Sequence, residues 1–149
     1  MKPELPDGRM AKINWRRVVA GGIVTGLVWG LLYAFIHPVV EAHDASGKPV
    51  LPLTPFHGAD VAISALVLVN PLVLGLFTLW LYATILPRYG PGPRTAMVAG
   101  FAVWFLSSWV HVSWAVFTQV PLGTLAGPLG TTLPVALVAA IAGARLYKE

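Results

Sequence analysis

Residues 16–36 read RRVVAGGIVTGLVWGLLYAFI, in which two arginines precede a long stretch without any charge. A helix needs about 20 predominantly apolar residues to cross a bilayer core of about 30 Å. The stretch therefore predicts a transmembrane helix over residues 18–36. Trp15, Arg16 and Arg17 mark its first end, because an amphipathic ring and basic side chains anchor helices at the lipid headgroups.

Three more predominantly apolar stretches follow, at residues 61–86, 95–117 and 125–146. Together the four stretches predict an all-α membrane protein, with one domain over residues 1–149 and an outer loop at residues 37–60. The composition agrees, since 56% hydrophobic residues, 11% charged residues and a mean hydropathy of +0.73 leave too few charges for a soluble surface. The long basic region before the first stretch predicts that no signal peptide is cleaved.

The basic residues are distributed with a strong bias between the connections. Nine of the ten lie before the first stretch, between the second and third, or after the fourth: Lys2, Arg9, Lys12, Arg16, Arg17, Arg88, Arg94, Arg145 and Lys148. Only Lys48 lies in a connection on the opposite side of the predicted membrane, the one between the first and second stretches. This positive-inside pattern predicts two antiparallel helical hairpins with both termini in the cytoplasm.

Several classes of function are disfavoured by what the sequence lacks. The chain has no cysteine, which excludes disulfides, thiolate catalysis and cysteine-ligated metal centres. We interpret the net charge of +4 as topological and as an attraction to anionic headgroups, so no nucleic-acid partner is expected. No nucleophile–base arrangement, glycine-rich phosphate loop or mid-membrane carboxylate is visible. We therefore predict a protein that is not an enzyme, and the missing carboxylate argues against a transporter acting alone.

Small residues recur at intervals of four on two of the predicted helices. Gly22, Gly26 and Gly30 share one face of the first span, where another backbone can approach closely. The fourth span repeats this spacing with Ala136, Ala140 and Ala144. Either stripe could pack within the four-helix bundle, for example the first span on the fourth, or it could face a partner subunit or a second copy.

The third span carries His111 among serine and tryptophan residues, roughly 23 Å beyond the cytoplasmic start of the span. Ionisable residues at such depth usually face the interior of a bundle. A neutral imidazole there could ligate the iron of a haem or the magnesium of a chlorophyll-type pigment, or form a hydrogen bond with a quinone. The alternative is a structural histidine that donates to a backbone carbonyl or a serine. His37, at the outer end of the first span, is the second candidate ligand.

Two further polar groups are candidates for function on the outer side. The loop combines histidines and carboxylates, and its candidate ligands for zinc or copper are His43, His57 and Asp60. A wet proline-rich loop explains the same residues without a metal. Asn70 precedes Pro71, where we expect a kink, and its amide either satisfies backbone groups freed by the proline or lines a path with Ser107 and Ser108.

Short segments of this chain resemble a family of small four-helix bacterial integral membrane proteins with no assigned activity. They are INWRRVVAGG at 13–22, WLY at 80–82, PRYGPGPR at 87–94, VWF at 103–105 and AGARLY at 142–147. These segments contain 30 of the 149 residues and lie mostly on the cytoplasmic side of the chain. It implies the same topology and a location in the bacterial inner membrane, and it brings no site or cofactor with it.

Three hypotheses of function follow from the sequence. The first is a non-catalytic integral subunit, or packing partner, of a larger membrane protein complex, whose partners are the bilayer and other integral subunits. The alternative is a redox-associated protein that holds haem, a chlorophyll-type pigment or quinone through His111 and His37. The second alternative is a small channel or transporter built by oligomerisation.

Overall fold

The computed structural model of the chain describes residues 13–40 and 61–147. The described part is built from four α-helices, with a short 3-10 helix before the last of them. Their bounds are Trp15–Val40 for α1, Val61–Tyr89 for α2, Pro93–Phe117 for α3, Leu122–Leu125 for the 3-10 helix and Ala126–Ala144 for α4. Each α-helix contains a segment long and apolar enough to cross a membrane. The prediction of an all-α chain with four helices of membrane-spanning length is therefore confirmed.

The turn between α2 and α3 is shorter than the proline-rich sequence suggests. The α-helix continues through Pro87 to Tyr89, so only three residues separate α2 from α3. Gly90 and Gly92 have φ of 77° and 146°, a region of backbone conformation that favours glycine. The Thr95 hydroxyl donates to the Gly90 carbonyl at 2.6 Å and fixes the start of α3 to the turn.

The four helices form a bundle in which α1 and α3 are opposite one another. Helix α1 packs against α2 and α4, α3 packs against the same two helices, and α2 also touches α4. Within the described residues no Cα atom of α1 lies within 8 Å of a Cα atom of α3. The order around the bundle is therefore α1, α2, α3, α4.

Helices α1 and α2 approach each other at glycines from both sides. A Cβ atom on Gly22 would lie 2.7 Å from the Leu76 Cα, and one on Gly26 would lie 2.6 Å from the Leu72 Cα. A Cβ atom on Gly75 of α2 would overlap the backbones of Gly22 and Gly26. Such a close approach is possible only because all three positions lack a side chain. We call Gly22, Gly26 and Gly75 the glycine contact.

Small residues of α4 contact two different helices. A Cβ atom on Gly100 of α3 would lie 2.8 Å from the Ala140 Cβ and 3.1 Å from the Ala136 carbonyl oxygen. On its other side α4 meets α1, where a Cβ atom on Gly21 would lie 2.9 Å from the Gly143 carbonyl oxygen. Helix α4 therefore joins α3 to α1 through backbone-to-backbone packing.

One buried cluster joins the start of α1, the end of α2, the start of α3 and the end of α4. Its members are Val18, Leu79, Tyr82, Ala83, Leu86, Ala96, Ala99, Ala144 and Tyr147. The five arginines in the described residues all flank these helix ends, and we call them the arginine rim: Arg16, Arg17, Arg88, Arg94 and Arg145. A second cluster, farther from the rim, includes Trp29, Val103 and Val135.

Two tyrosines hold the helix ends together beneath the arginine rim. The rings of Tyr82 and Tyr147 meet edge to face, with centroids 5.8 Å apart. The Tyr82 hydroxyl accepts from the Gly92 amide at 3.4 Å, and the Tyr147 hydroxyl accepts from the Asn14 amide at 3.3 Å. The pair therefore links the α2–α3 turn, the residue before α1 and the segment after α4.

Candidate functional site

His111 lies on the outside of the bundle, exposed on α3. Its Nδ1 atom is 2.8 Å from the Ser107 carbonyl oxygen. A carbonyl oxygen can only accept, so this hydrogen bond requires the proton on Nδ1. In the neutral imidazole, the other ring nitrogen, Nε2, then carries a lone pair.

The surface around His111 is aromatic and apolar. The large exposed side chains at this end of α3 are Trp109, Val110, Trp114, Val116 and Phe117, and with the exposed His111 we call them the α3 outer face. Ser113 lies within it and donates its hydroxyl to the Trp109 carbonyl at 2.9 Å, so this polar group is satisfied by its own helix. In the α3 outer face the lone pair of His111 is therefore an acceptor open to an outside partner, beside the indole N–H groups of Trp109 and Trp114.

This tautomer discriminates between the ligands that the sequence leaves open. The iron of a haem and the magnesium of a chlorophyll-type pigment both take a neutral imidazole lone pair. A quinone carbonyl needs a hydrogen-bond donor, which Nε2 does not supply while Nδ1 carries the proton. The geometry of His111 thus suits a metal centre or a donor group located outside the bundle.

The remaining predicted ligands fall beyond what the structure describes. His37 belongs to α1, but its side chain is not among the described ones. The candidate metal ligands His43, His57 and Asp60 lie outside the described residues, so the outer-loop metal site stays a prediction. Within residues 13–40 and 61–147, no three histidine or carboxylate side chains lie together as a metal site would need.

The polar residues predicted to line a path lie in different surroundings. Asn70 is exposed on α2, whereas Ser108 is buried in the bundle. Ser107 is partly buried and donates its hydroxyl to the Trp104 carbonyl at 2.9 Å. Pro71 packs its ring toward Gly30, where an added Cβ atom would lie 3.3 Å from the Pro71 Cγ. The Asn70–Pro71 pair therefore contributes its proline to the α1–α2 packing and its amide to the outer surface.

Both small-residue stripes are in contact with other helices of the same chain. Gly22, Gly26 and Gly30 face α2, and Ala136 and Ala140 face Gly100 of α3. Ala144 belongs to the buried cluster beneath the arginine rim. Within the described bundle these small residues are therefore covered by other helices of the chain. The exposed surface consists of other residues.

Sequence reasoning missed three features of the packing and the rim. Gly75 lies opposite glycines of α1, yet a single glycine in an apolar helix carries no recognisable spacing. Tyr147, close to the end of the chain, has the sequence signature of an interfacial anchor, but it is buried. The Arg17 Nη1 atom is buried and has no hydrogen-bond partner among the described residues. Only contacts between helices reveal these roles.

Comparisons of this chain with known protein families, curated proteins and solved structures gave no significant match.

Proposed function

We propose that this protein is a non-catalytic integral subunit, or packing partner, of a larger membrane protein complex in the bacterial inner membrane. The observation that supports this function best is the exposed position of His111 in the aromatic α3 outer face, with its Nδ1 atom already bonded to the Ser107 carbonyl. The partner contacts this face, because the small-residue stripes are already filled by helices of the same chain.

His111 lies far from the arginine rim along α3. His111 follows Arg94 by 17 residues, which corresponds to about 26 Å along a helix at 1.5 Å per residue. This places it within a hydrocarbon core of about 30 Å if the arginine rim lies at the headgroups. A polar atom without a partner in hydrocarbon costs free energy. A donor on a neighbouring subunit removes that cost and makes the contact specific.

The proposed topology has two antiparallel hairpins with both termini in the cytoplasm. The antiparallel arrangement is supported by the contacts between neighbouring helices: as the residue numbers rise along one helix, those of the facing residues fall along the other. Going from Gly22 to Gly26 in α1, the facing residue of α2 changes from Leu76 to Leu72. From Gly100 to Trp104 in α3, the facing residues of α4 move from Ala140 to Leu129, whose carbonyl accepts from the Trp104 indole at 3.2 Å. The rim gathers the arginines on what we propose is the cytoplasmic side.

The absence of cysteine makes this topology directly testable. In intact spheroplasts, a membrane-impermeant maleimide is expected to label a Thr118→Cys variant, whose cysteine follows α3. A Pro91→Cys variant, in the α2–α3 turn, should be labelled only after permeabilisation. The unsubstituted chain is the blank. Labelling of Pro91→Cys in intact spheroplasts would contradict the proposed orientation.

The subunit proposal predicts that His111→Leu separates the protein from its partner. The substitution keeps an apolar side chain of similar size and removes the lone pair. After mild extraction, native mass spectrometry is expected to show a complex for the unsubstituted chain. The variant should lose affinity for the partner by a factor of about 5 to 150, because loss of a buried hydrogen bond costs on the order of 1–3 kcal/mol.

Asn70→Leu is the matched control for that experiment. Asn70 is also exposed and lies 18 residues from Arg88, so it removes a polar group at a similar depth on α2. The control is expected to retain the complex. Purification of the chain from its native membrane without any other polypeptide would contradict the subunit proposal. Loss of the partner in Asn70→Leu alone would show that the partner contacts α2 instead of α3.

The second candidate function is a redox-associated role in which His111 ligates a tetrapyrrole metal. The exposed position of His111, with Nδ1 bonded to the Ser107 carbonyl, supports this role, and we propose that the cofactor lies between this chain and a neighbour. Visible absorbance of the protein from its native membrane, lost in His111→Ala, is the expected result. A colourless preparation that still contains the partner would rule out haem and pigment and leave the subunit role standing.

A further inference from the structure

An open groove runs along the membrane-facing side of α3 and α4 near the arginine rim. Its lining residues are Arg94, Met97, Val98 and Phe101 of α3 and Leu137 of α4. The four α3 residues recur at intervals of three and four, so they share one helix face. The groove lies beside the close contact of Gly100 with Ala136 and Ala140, where the two backbones draw together and the larger flanking side chains form its walls.

The groove has one charged end and an apolar body. Arg94 provides the charge, and Phe101 lies about 10 Å farther along the same helix face. No carboxylate occurs anywhere in the described residues, 13–40 and 61–147, that could neutralise Arg94. Thr95, the next residue, already donates its hydroxyl to the Gly90 carbonyl. Within the described residues the charge at the groove end therefore has no counter-ion.

We propose that this groove binds an anionic phospholipid of the leaflet on the side of the arginine rim. One acyl chain lies along Met97, Val98, Phe101 and Leu137, and the phosphodiester meets Arg94. A guanidinium donates two parallel hydrogen bonds to phosphate oxygens, and basic pockets between membrane helices favour anionic headgroups. An apolar wall followed by a cation matches the order of chemical groups in such a lipid. The site requires the membrane location of the chain and is independent of the subunit role.

Two pairs of variants test the two halves of the site separately. Arg94→Gln removes the charge at the groove, and Arg88→Gln removes an exposed arginine of the same rim that does not line it. Val98→Trp fills the groove and keeps Arg94, and Leu106→Trp adds the same bulk at an exposed position elsewhere on α3. Each purified protein is mixed with equal amounts of phosphatidylglycerol and phosphatidylcholine with identical acyl chains. Native mass spectrometry then counts the lipids retained.

The unsubstituted chain is expected to retain one phosphatidylglycerol in preference to phosphatidylcholine. Arg94→Gln should lower the retained phosphatidylglycerol about tenfold, since a charge-assisted hydrogen bond contributes about that factor. Val98→Trp should lower retention of either lipid, while the two controls bind as the unsubstituted chain does. Inorganic phosphate at matched ionic strength should displace nothing, because it has no acyl chain for the apolar wall.

Three results would overturn the proposal. An equal loss with Arg88→Gln and Arg94→Gln would mean that the whole rim attracts lipid without a site. Unchanged binding in Val98→Trp would show that no acyl chain occupies the groove. Displacement by inorganic phosphate would show a plain anion site at Arg94.

Discussion

Replacing Gly75 with alanine is expected to lower the free energy of unfolding by about 2–3 kcal/mol, the cost of forcing extra atoms into a packed interior. The added methyl group would overlap backbone atoms of Gly22 and Gly26 in α1, and neither backbone can rotate away as a side chain can. Helices α1 and α2 would have to separate along the whole glycine contact. The loss of packing then extends to Leu72 and Leu76 on the facing helix.

Gly130→Ala is the control, and the two substitutions are expected to have opposite signs. Gly130 lies in α4, and an added Cβ atom there meets no atom within 4 Å. Alanine in a helix interior is more stable than glycine by about 0.5–1 kcal/mol, so this variant should gain stability. Unfolding of the purified proteins in mixed micelles with increasing denaturing detergent, followed by circular dichroism, measures both. Equal stabilisation by the two alanines would show that α1 and α2 are not in backbone contact.

Replacing Tyr147 with alanine is expected to lower the free energy of unfolding by about 3 kcal/mol, as for other large aromatic side chains removed from a core. Tyr147 is only 8% exposed and packs edge to face on Tyr82 within the cluster beneath the arginine rim. Its loss would leave a cavity where the ends of the helices meet. Limited proteolysis near Asn14 should become faster, because the hydroxyl that accepts from the Asn14 amide is gone.

Two companion variants divide this effect into its parts. Tyr147→Phe keeps the ring and removes the hydroxyl, so it should cost only about 1 kcal/mol, the usual contribution of one hydrogen bond. Tyr89→Ala removes an exposed tyrosine at the end of α2 and should change stability little. The same detergent titration measures all three. A loss in Tyr89→Ala as large as in Tyr147→Ala would contradict a specific role for the tyrosine pair.

The sequence predicts the positions of the helices much better than it predicts which helices pack against each other. Hydrophobic length and helix breakers locate four segments, and the observed helices cover them with ends shifted by a few residues. The spacing of Gly22, Gly26 and Gly30 tells which residues share a face but says nothing about which helix that face meets. The structure pairs this face with α2 through Gly75, and it pairs α1 with α4 through Gly21 and Gly143. Such pairings depend on the shapes of two surfaces together.

For the candidate site, the sequence did not predict on which side of α3 His111 lies. The cost of polar groups in lipid favours an inward histidine, and the structure places it outward. The physical reason lies in the unequal ends of α3 and α4. The Trp104 indole donates to the Leu129 carbonyl in the first turn of α4, so the last turns of α3 extend beyond α4. No pattern within α3 reports where its neighbour begins.

The arginine rim also restricts the symmetry of any assembly built from several copies. Carrying its five arginines across a membrane potential of 100 mV changes the energy by about 12 kcal/mol, at about 2.3 kcal/mol per charge. We therefore expect all copies to insert in the same sense. A two-fold axis lying in the membrane plane would invert one copy. If all copies share the proposed orientation, we expect them to associate around an axis along the membrane normal, with every rim on the same side.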